Sequence, residues 1–214
     1  MMFPAHLQSW LEKRGVQGTT ALDRFLEPSL EHLSSPDAFA DMRRAVERLR
    51  TAIRNEETIA LYADRDMDGL AGLAVLFRTL RTLGGKVVWD APRQGRGLEE
   101  KGLESLYGQG ARLFIFIDCG TGEPVALQKL TNQGCEIIVA DHHRLSGEKA
   151  QILAWVHPAD HAEHASMAPA GCVMAFKLAQ ALWLSFLGKA DSERLDYFLY
   201  SHLDVVALGI LGDR

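Results

Sequence analysis

The sequence contains little cysteine and no long apolar run. Its three cysteines, Cys119, Cys135 and Cys172, are an odd number without Cys-x-x-Cys spacing, which is typical of reduced thiols in a cytosolic protein. No apolar run reaches the roughly 18 residues that a membrane-spanning helix needs. Residues Met1–His6 lack a basic stretch followed by an apolar one, so we expect no signal peptide. These absences predict a cytoplasmic protein that does not bind to a membrane.

Basic residues are also scarce relative to acidic ones. The chain has 23 lysines and arginines against 28 aspartates and glutamates, and its net charge is −5 at pH 7. This charge argues against a generic basic protein that coats nucleic acid, but it is compatible with an enzyme that has a local basic groove. With 214 residues, 47% of them hydrophobic, and no internal repeats, the chain is long enough for one large α/β domain or two small ones.

Hydrophobic patterning predicts an alternation of strands and helices. Residues 1–34 are expected to form a short helical or irregular arm, and Ser35 and Pro36 are expected to start a helix as N-cap and first residue. Apolar runs predict strands over 58–63, 86–89, 113–117, 136–140 and 152–156. Helical spacing predicts helices over 35–55, 70–83, 99–109, 123–132, 171–187 and 191–212. The alternation indicates an α/β fold, a doubly wound and mainly parallel sheet with helices on both faces.

Three of the predicted strands end in acidic or histidine residues. Asp64, Asp66 and Asp68 follow the first strand, Asp118 follows the third, and the segment 141–143 (Asp-His-His) follows the fourth. Ligands of open α/β sheets bind at the carboxyl ends of the strands, so the fold brings these groups together. In extended backbone the first three carboxylates point the same way, and such like charges are tolerated chiefly beside a cation.

Two alternatives apply to the first acidic group. A polar strand-to-helix turn with Asp68 as N-cap is one. The other is a calcium-binding EF-hand, since Asp-x-Asp-x-Asp-Gly also begins that loop. The twelfth position from Asp64 is Val75, where the EF-hand needs a bidentate glutamate, and a strand rather than a helix comes first. The sequence therefore argues against the EF-hand.

Further candidates are a histidine pair and a late aspartate. His142 and His143 are adjacent at the end of a buried strand, which suits metal ligation or phosphate contact. Asp204 and Asp213 lie in an apolar helical segment, where a carboxylate needs a partner or a metal. Carboxylates with imidazole, and without thiolates, suit Mn²⁺ or Mg²⁺, and this many carboxylates can hold two ions. Two such ions can activate water and neutralise a phosphate, which points to metal-assisted phosphoester hydrolysis.

The order of these motifs resembles the DHH phosphoesterase superfamily, and within it the branch of single-strand-specific exonucleases. The resemblance extends from about residue 22 to residue 213. Further matching segments are Phe25-Leu26-Glu27-Pro28, Met42–Arg48, Tyr62–Gly69, Pro92–Leu98 and Ala170–Leu178. The sequence departs from the family pattern at Ala63, Arg65 and Arg96, and at His157-Pro158, where the family has Asn-Pro.

The resemblance implies a role for each candidate residue. Asp66 and Asp68 correspond to the metal-binding aspartate pair, and Asp64 takes the place where other branches supply a histidine. Asp118 corresponds to the carboxylate that bridges both ions.

The later motifs complete the implied set. His142 corresponds to a metal ligand, and His143 to a ligand or a contact to the scissile phosphate. Asp141 is expected to orient both histidines. Asp213 corresponds to the last ligand, and Asp204 is the weaker candidate for that position. For the substrate phosphate, Arg93 is the expected clamp, and Arg65 is expected to be either a substrate contact or an ion-pair partner of the aspartates.

The function implied is hydrolysis of phosphodiester bonds in single-stranded DNA or a short oligonucleotide with two Mn²⁺ or Mg²⁺ ions. The alternatives are a phosphoesterase of small substrates (oligonucleotides, cyclic dinucleotides or polyphosphate) and a catalytically silent scaffold module. Residues 1–55 are expected to form an arm and helix, and 56–214 the catalytic domain. The resemblance also leads us to expect a further C-terminal substrate-binding domain in a longer protein.

Overall fold

The computed structural model describes residues 4–93, 95, 97–145, 149–158, 170–187 and 192–213. The chain divides into two compact units, Met1–Ser35 and Pro36–Arg214. The first unit contains helices α1 (Ala5–Glu12) and α2 (Gly18–Leu26) and a 3₁₀ turn at Leu30–His32. The prediction of a short helical arm is therefore confirmed.

The second unit begins with a 3₁₀ turn at Pro36–Ala38 and helix α3 (Met42–Arg54). The prediction that an α-helix begins at Ser35-Pro36 is wrong, because the α-helix starts only after Asp41. The Asp41 carboxylate does not cap α3; it accepts a hydrogen bond of 3.0 Å from the backbone N–H of Trp155. Helix α3 thus packs with the sheet-containing unit, whereas the sequence prediction grouped residues 1–55 together.

Five parallel strands form the sheet of the second unit, in the spatial order β2-β1-β3-β4-β5. They are β1 (Thr58–Ala63), β2 (Lys86–Asp90), β3 (Leu113–Ile117), β4 (Glu136–Ala140) and β5 (Ala154–Val156). The helices are α4 (Met67–Thr82), α5 (Glu100–Gly108), α6 (Pro124–Asn132), α7 (Gly171–Leu187) and α8 (Ser192–Gly212). The central strands are almost wholly apolar because both of their faces are covered. The predicted doubly wound parallel sheet is confirmed.

The two faces of the sheet have separate cores, because alternate residues of a strand point to opposite sides. On one face, Tyr62, Phe114 and Phe116 pack with Leu106 of α5 and Leu127 of α6. On the other face α4 and α7 contact the strands, and α3 and α8 pack against α7. The close fit depends on small residues, since a Cβ at Gly72 of α4 would lie 2.7 Å from the Ile117 side chain. This packing holds α4 and α7 beside the carboxyl ends of β1 and β3.

Helix α8 differs from the expectation that no segment is long and apolar enough to span a membrane. Among the described residues, its segment Glu193–Gly212 is long and apolar enough to cross a membrane by length and composition alone. A single such helix is weak evidence for a membrane segment, because core helices of water-soluble proteins meet the same criteria. Phe198, Leu199 and Val206 of α8 are buried within the protein, whereas 28% of the segment as a whole is buried.

Candidate metal centre

Three neighbouring strands deliver an aspartate each to the same edge of the sheet. The parallel ladder continues one residue past the strands, because the N–H of Asp64 donates to Ile117 O at 3.1 Å and that of Asp118 to Ala140 O at 3.0 Å. The N–H of Asp141 donates in the same way to a carbonyl of β5. All three side chains are buried. The predicted meeting of the motifs at the carboxyl ends of the strands is present in the structure.

Asp118 lies at the centre of this edge in a strained backbone conformation. Its φ is +58°, a left-handed value that non-glycine residues seldom adopt. Its Oδ1 atom is buried and has no hydrogen-bond partner among the described residues, although His142 Nε2 lies 3.2 Å away. Burial raises the pKa of Asp118 to about 7, and the nearby carboxylates of Asp68 and Asp141 add to the effect. Among the described residues, only this histidine nitrogen lies at hydrogen-bond distance from the buried carboxylate oxygen, which is therefore suited to a cation.

The turn between β1 and α4 carries Asp64 and places two further carboxylates, those of Asp66 and Asp68. The Asp66 carboxylate accepts hydrogen bonds of 3.1 Å from the N–H groups of Asp68 and Gly69, so Asp66 is the N-cap of α4. The alternative that Asp68 is the N-cap is therefore wrong. The Asp64 carboxylate accepts from the N–H of Arg65 at 2.8 Å, which closes the turn on itself.

The Asp68 carboxylate instead receives the N-terminus of α7. It accepts hydrogen bonds from the N–H groups of Gly171 at 2.6 Å and Cys172 at 2.8 Å. Free N–H groups and a positive dipole end make this position favourable for a carboxylate. Gly171 is required here, because a Cβ on it would lie 2.4 Å from Oδ1 of Asp118. The N-terminus of α7 therefore fits between two of the predicted ligands.

The Asp-His-His turn after β4 is organised by Asp141. Its carboxylate accepts from the N–H of His142 at 2.7 Å, from that of Thr121 at 3.1 Å, and lies 2.7 Å from Nδ1 of His143. Burial alone would raise the pKa of Asp141, but these hydrogen bonds hold it well below its usual range. The same carboxylate raises the pKa of His143 to about 9. Asp141 is thus placed to orient the turn, as the resemblance implies.

His142 points its Nε2 atom at three carboxylates. The distances are 3.2 Å to Asp118, 3.7 Å to Asp68 and 4.0 Å to Asp213. Burial opposes protonation of this ring, but the carboxylates of Asp118 and Asp213 outweigh it and raise the pKa of His142. These carboxylates thus favour the protonated form of the imidazole, which would place a positive charge among the acids.

Asp213 and Asp204 were alternatives for the last acidic position, and the structure separates them. Asp213 reaches the cluster at the end of α8. Asp204 is exposed, and its carboxylate accepts a hydrogen bond from the N–H of Val205. Gly209 and Gly212 let α8 approach, since a Cβ at either would lie under 3.0 Å from a side chain of α7 or α4.

Three groups of side chains have donor atoms within 4.8 Å of one another. We call their union the carboxylate–histidine cluster. The groups are Asp64, Asp66 and Asp118; Asp68, His142 and Asp213; and Asp118, His142 and His143. Carboxylate and imidazole donors without thiolate are the ligand chemistry of Mn²⁺ and Mg²⁺ rather than of structural zinc. Together with the orphaned Oδ1 atom of Asp118, this donor set fits divalent cations.

The predicted phosphate-binding arginines lie on the loops next to the cluster. Arg65 Nη1 donates to the carbonyl oxygen of Arg93 at 3.0 Å, and both residues are exposed. Arg93 also lines a polar cavity of about 540 Å³ with Asp90, Glu99 and Lys101. Arg96, which departs from the family pattern, lies outside the described residues. A second, more apolar depression of about 500 Å³ between α5 and α6 contains no residue of the cluster.

Sequence reasoning missed several residues that shape the site. Thr121 and Cys172 act through backbone N–H groups, which carry no side-chain signature. His157 contacts the carbonyl oxygen of His143 through Nε2 at 2.8 Å. The signal for His157 was its departure from the Asn-Pro pattern, which indicated an altered position without indicating its contact.

Comparison with known proteins identifies the class that this fold and cluster define. The family model for the N-terminal domain of the DHH family matches residues 58–210, and the chain belongs to this family. Among individual proteins it is similar to the single-stranded-DNA-specific exonuclease RecJ of Bacillus subtilis, with 30% identity over 209 residues, 96% of this chain and 25% of the relative. The chain therefore spans about a quarter of that relative's length.

Solved structures give the same similarity. A crystal structure of exonuclease RecJ bound to manganese superposes with a TM-score of 0.68 and 31% identity, and covers 82% of this chain and 43% of the other. The Thermus thermophilus RecJ structure in complex with Mn²⁺ gives a TM-score of 0.68 and 27% identity, over 98% of this chain and 31% of the other. In each case the similar protein extends well beyond the matched region.

Proposed function

We propose that this chain is the catalytic unit of a metal-dependent phosphoesterase that hydrolyses phosphodiester bonds of single-stranded DNA. The observation that carries the proposal is the carboxylate–histidine cluster, in which a buried oxygen of Asp118, with only the His142 nitrogen at hydrogen-bond distance in the described part of the chain, lies between two groups of ligand atoms. The similarity to RecJ, described as specific for single-stranded DNA, supports the choice of substrate. A scaffold module has no physical need for such a costly group of buried acids.

Two groups of residues would hold the cations. Asp64 and Asp66 would bind one ion, Asp68, His142 and Asp213 the other, and Asp118 both, with its unpartnered oxygen available for sharing. When bound, a pair of divalent cations lowers the pKa of water and neutralises phosphate charge. Mn²⁺ and Mg²⁺ are the proposed ions, and RecJ structures with each of them support this choice.

We assign His143 to the substrate phosphate rather than to a metal. Its Nδ1 atom is already hydrogen bonded to Asp141, and this contact raises the pKa of His143 to about 9. At neutral pH the ring is therefore a cation with an N–H left at Nε2. Half of its side chain is exposed, so that N–H can donate to a phosphate oxygen where charge develops.

Arg93 and Arg65 would extend phosphate binding away from the reacting bond. Both guanidinium groups are exposed and lie on loops that are hydrogen bonded to each other. Two guanidinium groups at the rim of the cluster would attract a phosphodiester chain when metal ions neutralise the aspartates. We propose that Arg93 clamps a phosphate and that Arg65 contacts the same strand.

The domain organisation follows from this function as a further proposal. We propose an arm and helix over residues 1–55, of which helix α3 packs with the sheet-containing unit, a catalytic domain over residues 56–214, and a separate substrate-binding domain that closes over the cluster in a longer protein. The proposed location is the cytoplasm, which agrees with three free, buried cysteines. A closing domain would exclude water and position the strand.

The test measures metal binding first, because it does not depend on a second domain. We expect the purified chain to bind Mn²⁺ by isothermal titration calorimetry, and Asp118→Asn to weaken binding at least about 10-fold. Asp204→Asn is the matched control, since it removes an exposed carboxylate from α8, and its affinity should stay within about twofold. Equal Mn²⁺ affinity for wild type and Asp118→Asn would contradict the proposed site.

The substrate is tested on the chain and on a longer form that includes the C-terminal region. Labelled single-stranded DNA, short RNA and pyrophosphate are incubated with Mn²⁺, with Asp118→Asn as the negative control. We expect the longer form to release nucleotides from DNA. Hydrolysis of short RNA or pyrophosphate without cleavage of DNA would favour the small-substrate alternative. A protein that binds Mn²⁺ but hydrolyses none of them would favour the scaffold.

A further inference from the structure

His157 makes a buried contact with the Asp-His-His turn. It directly follows β5 and is 2% exposed, and its Nε2 atom lies 2.8 Å from the carbonyl oxygen of His143. A carbonyl oxygen only accepts hydrogen bonds, so His157 must carry a proton on Nε2 and donate it. The contact therefore fixes both the orientation of the His157 ring and the position of its proton.

The contact closes a frame around the histidine pair. From inside the turn, the Asp141 carboxylate accepts from the N–H groups of His142 and His143. From β5, the carbonyl of Val156 accepts from the N–H of Asp141, and His157 donates to the carbonyl of His143. The Asp141 carboxylate thus holds the backbone N–H groups of the turn, and His157 holds the carbonyl of its last residue, His143.

Both ends of the frame matter because the turn carries two different functional groups. Nε2 of His142 must stay within reach of Asp118 and Asp68. The ring of His143 must keep Nδ1 on Asp141 and present its other nitrogen outward. Loss of the donor from His157 would leave the carbonyl of His143 free to reorient, and the turn that carries both rings would be held less firmly.

We infer that His157 is a positioning residue for the histidine pair, which acts by donating from Nε2 to the carbonyl of His143. The inference rests on the proposed function, because it assumes that the pair serves metal and phosphate binding. The family pattern has asparagine here, and the longer histidine side chain of this protein reaches the turn from β5. A glutamine side chain at position 157 can donate an N–H to the carbonyl of His143 over a similar distance. A leucine side chain fills the space but has no N–H to donate.

The experiment compares His157→Leu with His157→Gln in the 214-residue chain. We expect His157→Leu to weaken Mn²⁺ binding about 10-fold, measured by calorimetry, and His157→Gln to restore it to within about threefold of wild type. His202→Leu is the control, because it removes a buried histidine from α8, far along that helix from the cluster. It should lower the unfolding temperature without a change in Mn²⁺ affinity. Ring ¹⁵N spectra of the wild type should show a protonated Nε2 on His157.

The outcomes separate this inference from the proposed function. If the wild type binds no Mn²⁺, the proposed function fails. If the wild type binds Mn²⁺ and a folded His157→Leu binds equally well, or His157→Gln is as weak as His157→Leu, the positioning role is overturned. Where His157→Leu does not fold, His157→Gln and the ring spectra decide. A His157 ring without a proton on Nε2, or a folded His157→Gln with 10-fold weaker binding, would overturn the inference.

Discussion

At the scale of single residues, Asp118 is the group on which the proposed chemistry depends. Its backbone is in a left-handed conformation, which costs on the order of 1 kcal/mol or more for a residue with a Cβ. Its carboxylate is buried among other acids, and burial raises its pKa to about 7. Both features are unfavourable in the metal-free protein. A bound cation would offset the second, because it favours the charged form of the carboxylate.

This raised pKa predicts a pH dependence of metal binding. Protons compete with the cation for Asp118, whose pKa is about 7, and for His142, whose pKa is also raised. We expect Mn²⁺ affinity to fall by about 10-fold or more per pH unit below pH 7. Calorimetry at pH 8, 7 and 6 measures the change, and titrations at pH 6.5 in buffers of different ionisation enthalpy should detect proton release. Constant affinity from pH 8 to pH 6, without proton release, would contradict this prediction.

At the scale of secondary-structure elements, the N-terminus of α7 is the most constrained part of the site. Its first N–H groups bind Asp68, and its first residue passes so close to Asp118 that only glycine fits. Helix α4 contributes to the same wall through Asp66 and Asp68. The two helices are therefore coupled to the strands through carboxylates as well as through the apolar core.

Gly171→Ala is predicted to disturb the metal centre through this helix. The added Cβ would lie 2.4 Å from Oδ1 of Asp118, so α7 or Asp118 must move, at a cost of about 1–3 kcal/mol in unfolding free energy. We expect Mn²⁺ affinity to fall as well, measured together with urea unfolding.

Gly108→Ala in α5 is the matched control for this substitution. It lies in a helix with no atom within 4 Å of the added Cβ, and helix propensity favours alanine over glycine. Its stability should be unchanged or slightly higher, and its Mn²⁺ affinity should equal that of the wild type. If Gly171→Ala behaved like this control, the close approach of α7 to Asp118 would be refuted.

At the scale of the whole molecule, the acid excess is concentrated where metal is expected. The net charge is −5 at pH 7, and the cluster contains five aspartates from three separate segments of the chain, Asp64, Asp66, Asp68, Asp118 and Asp213. Two divalent cations would return four positive charges. The acidic composition is therefore compatible with a phosphate-rich substrate once metal is bound.

The stability of the metal-free chain is predicted to fall as pH rises. The pKa of Asp118 is about 7 in the folded chain against an ordinary value of 3.8, so its favourable contribution to stability is present below pH 4 and lost by about pH 7. The pKa of His143 is about 9 in the folded chain against an ordinary value of 6.5. Its contribution to stability is therefore lost between pH 6.5 and pH 9. Urea unfolding at a series of pH values in the presence of a chelator measures this trend.

Mn²⁺ is predicted to reverse this loss at pH 8. A ligand that binds only the folded state at 100 times its Kd adds about 2.7 kcal/mol. The thermal unfolding temperature should therefore rise on addition of Mn²⁺ and return to its metal-free value with chelator. Asp204→Asn should show the same rise, and Asp118→Asn a much smaller one. An unfolding temperature insensitive to Mn²⁺ at pH 8 would argue against a metal centre that forms with the fold.

Much of the fold could be predicted from the sequence because its signals are local. The strand Leu113–Ile117 is an unbroken apolar run, and its five residues are fully buried in the structure. The start of α3 could not be predicted. Ser35 and Pro36 have the residue types of a helix start, but only a short 3₁₀ turn, Pro36–Ala38, follows Ser35. The Asp41 carboxylate accepts a hydrogen bond from the backbone N–H of Trp155. No local sequence pattern predicts a partner so distant along the chain.

The sequence by itself determined which residues follow each apolar run along the chain. It also determined that these residues offer oxygen and imidazole donors. It could do so because strand ends in a parallel sheet meet at one edge. Only the tertiary structure showed that Asp213 rather than Asp204 lies in the cluster, that Asp66 rather than Asp68 caps α4, and that His157 contacts the carbonyl of His143. Those choices depend on how helices α7 and α8 pack on the sheet, and packing joins residues more than 100 positions apart, such as Asp68 and Gly171.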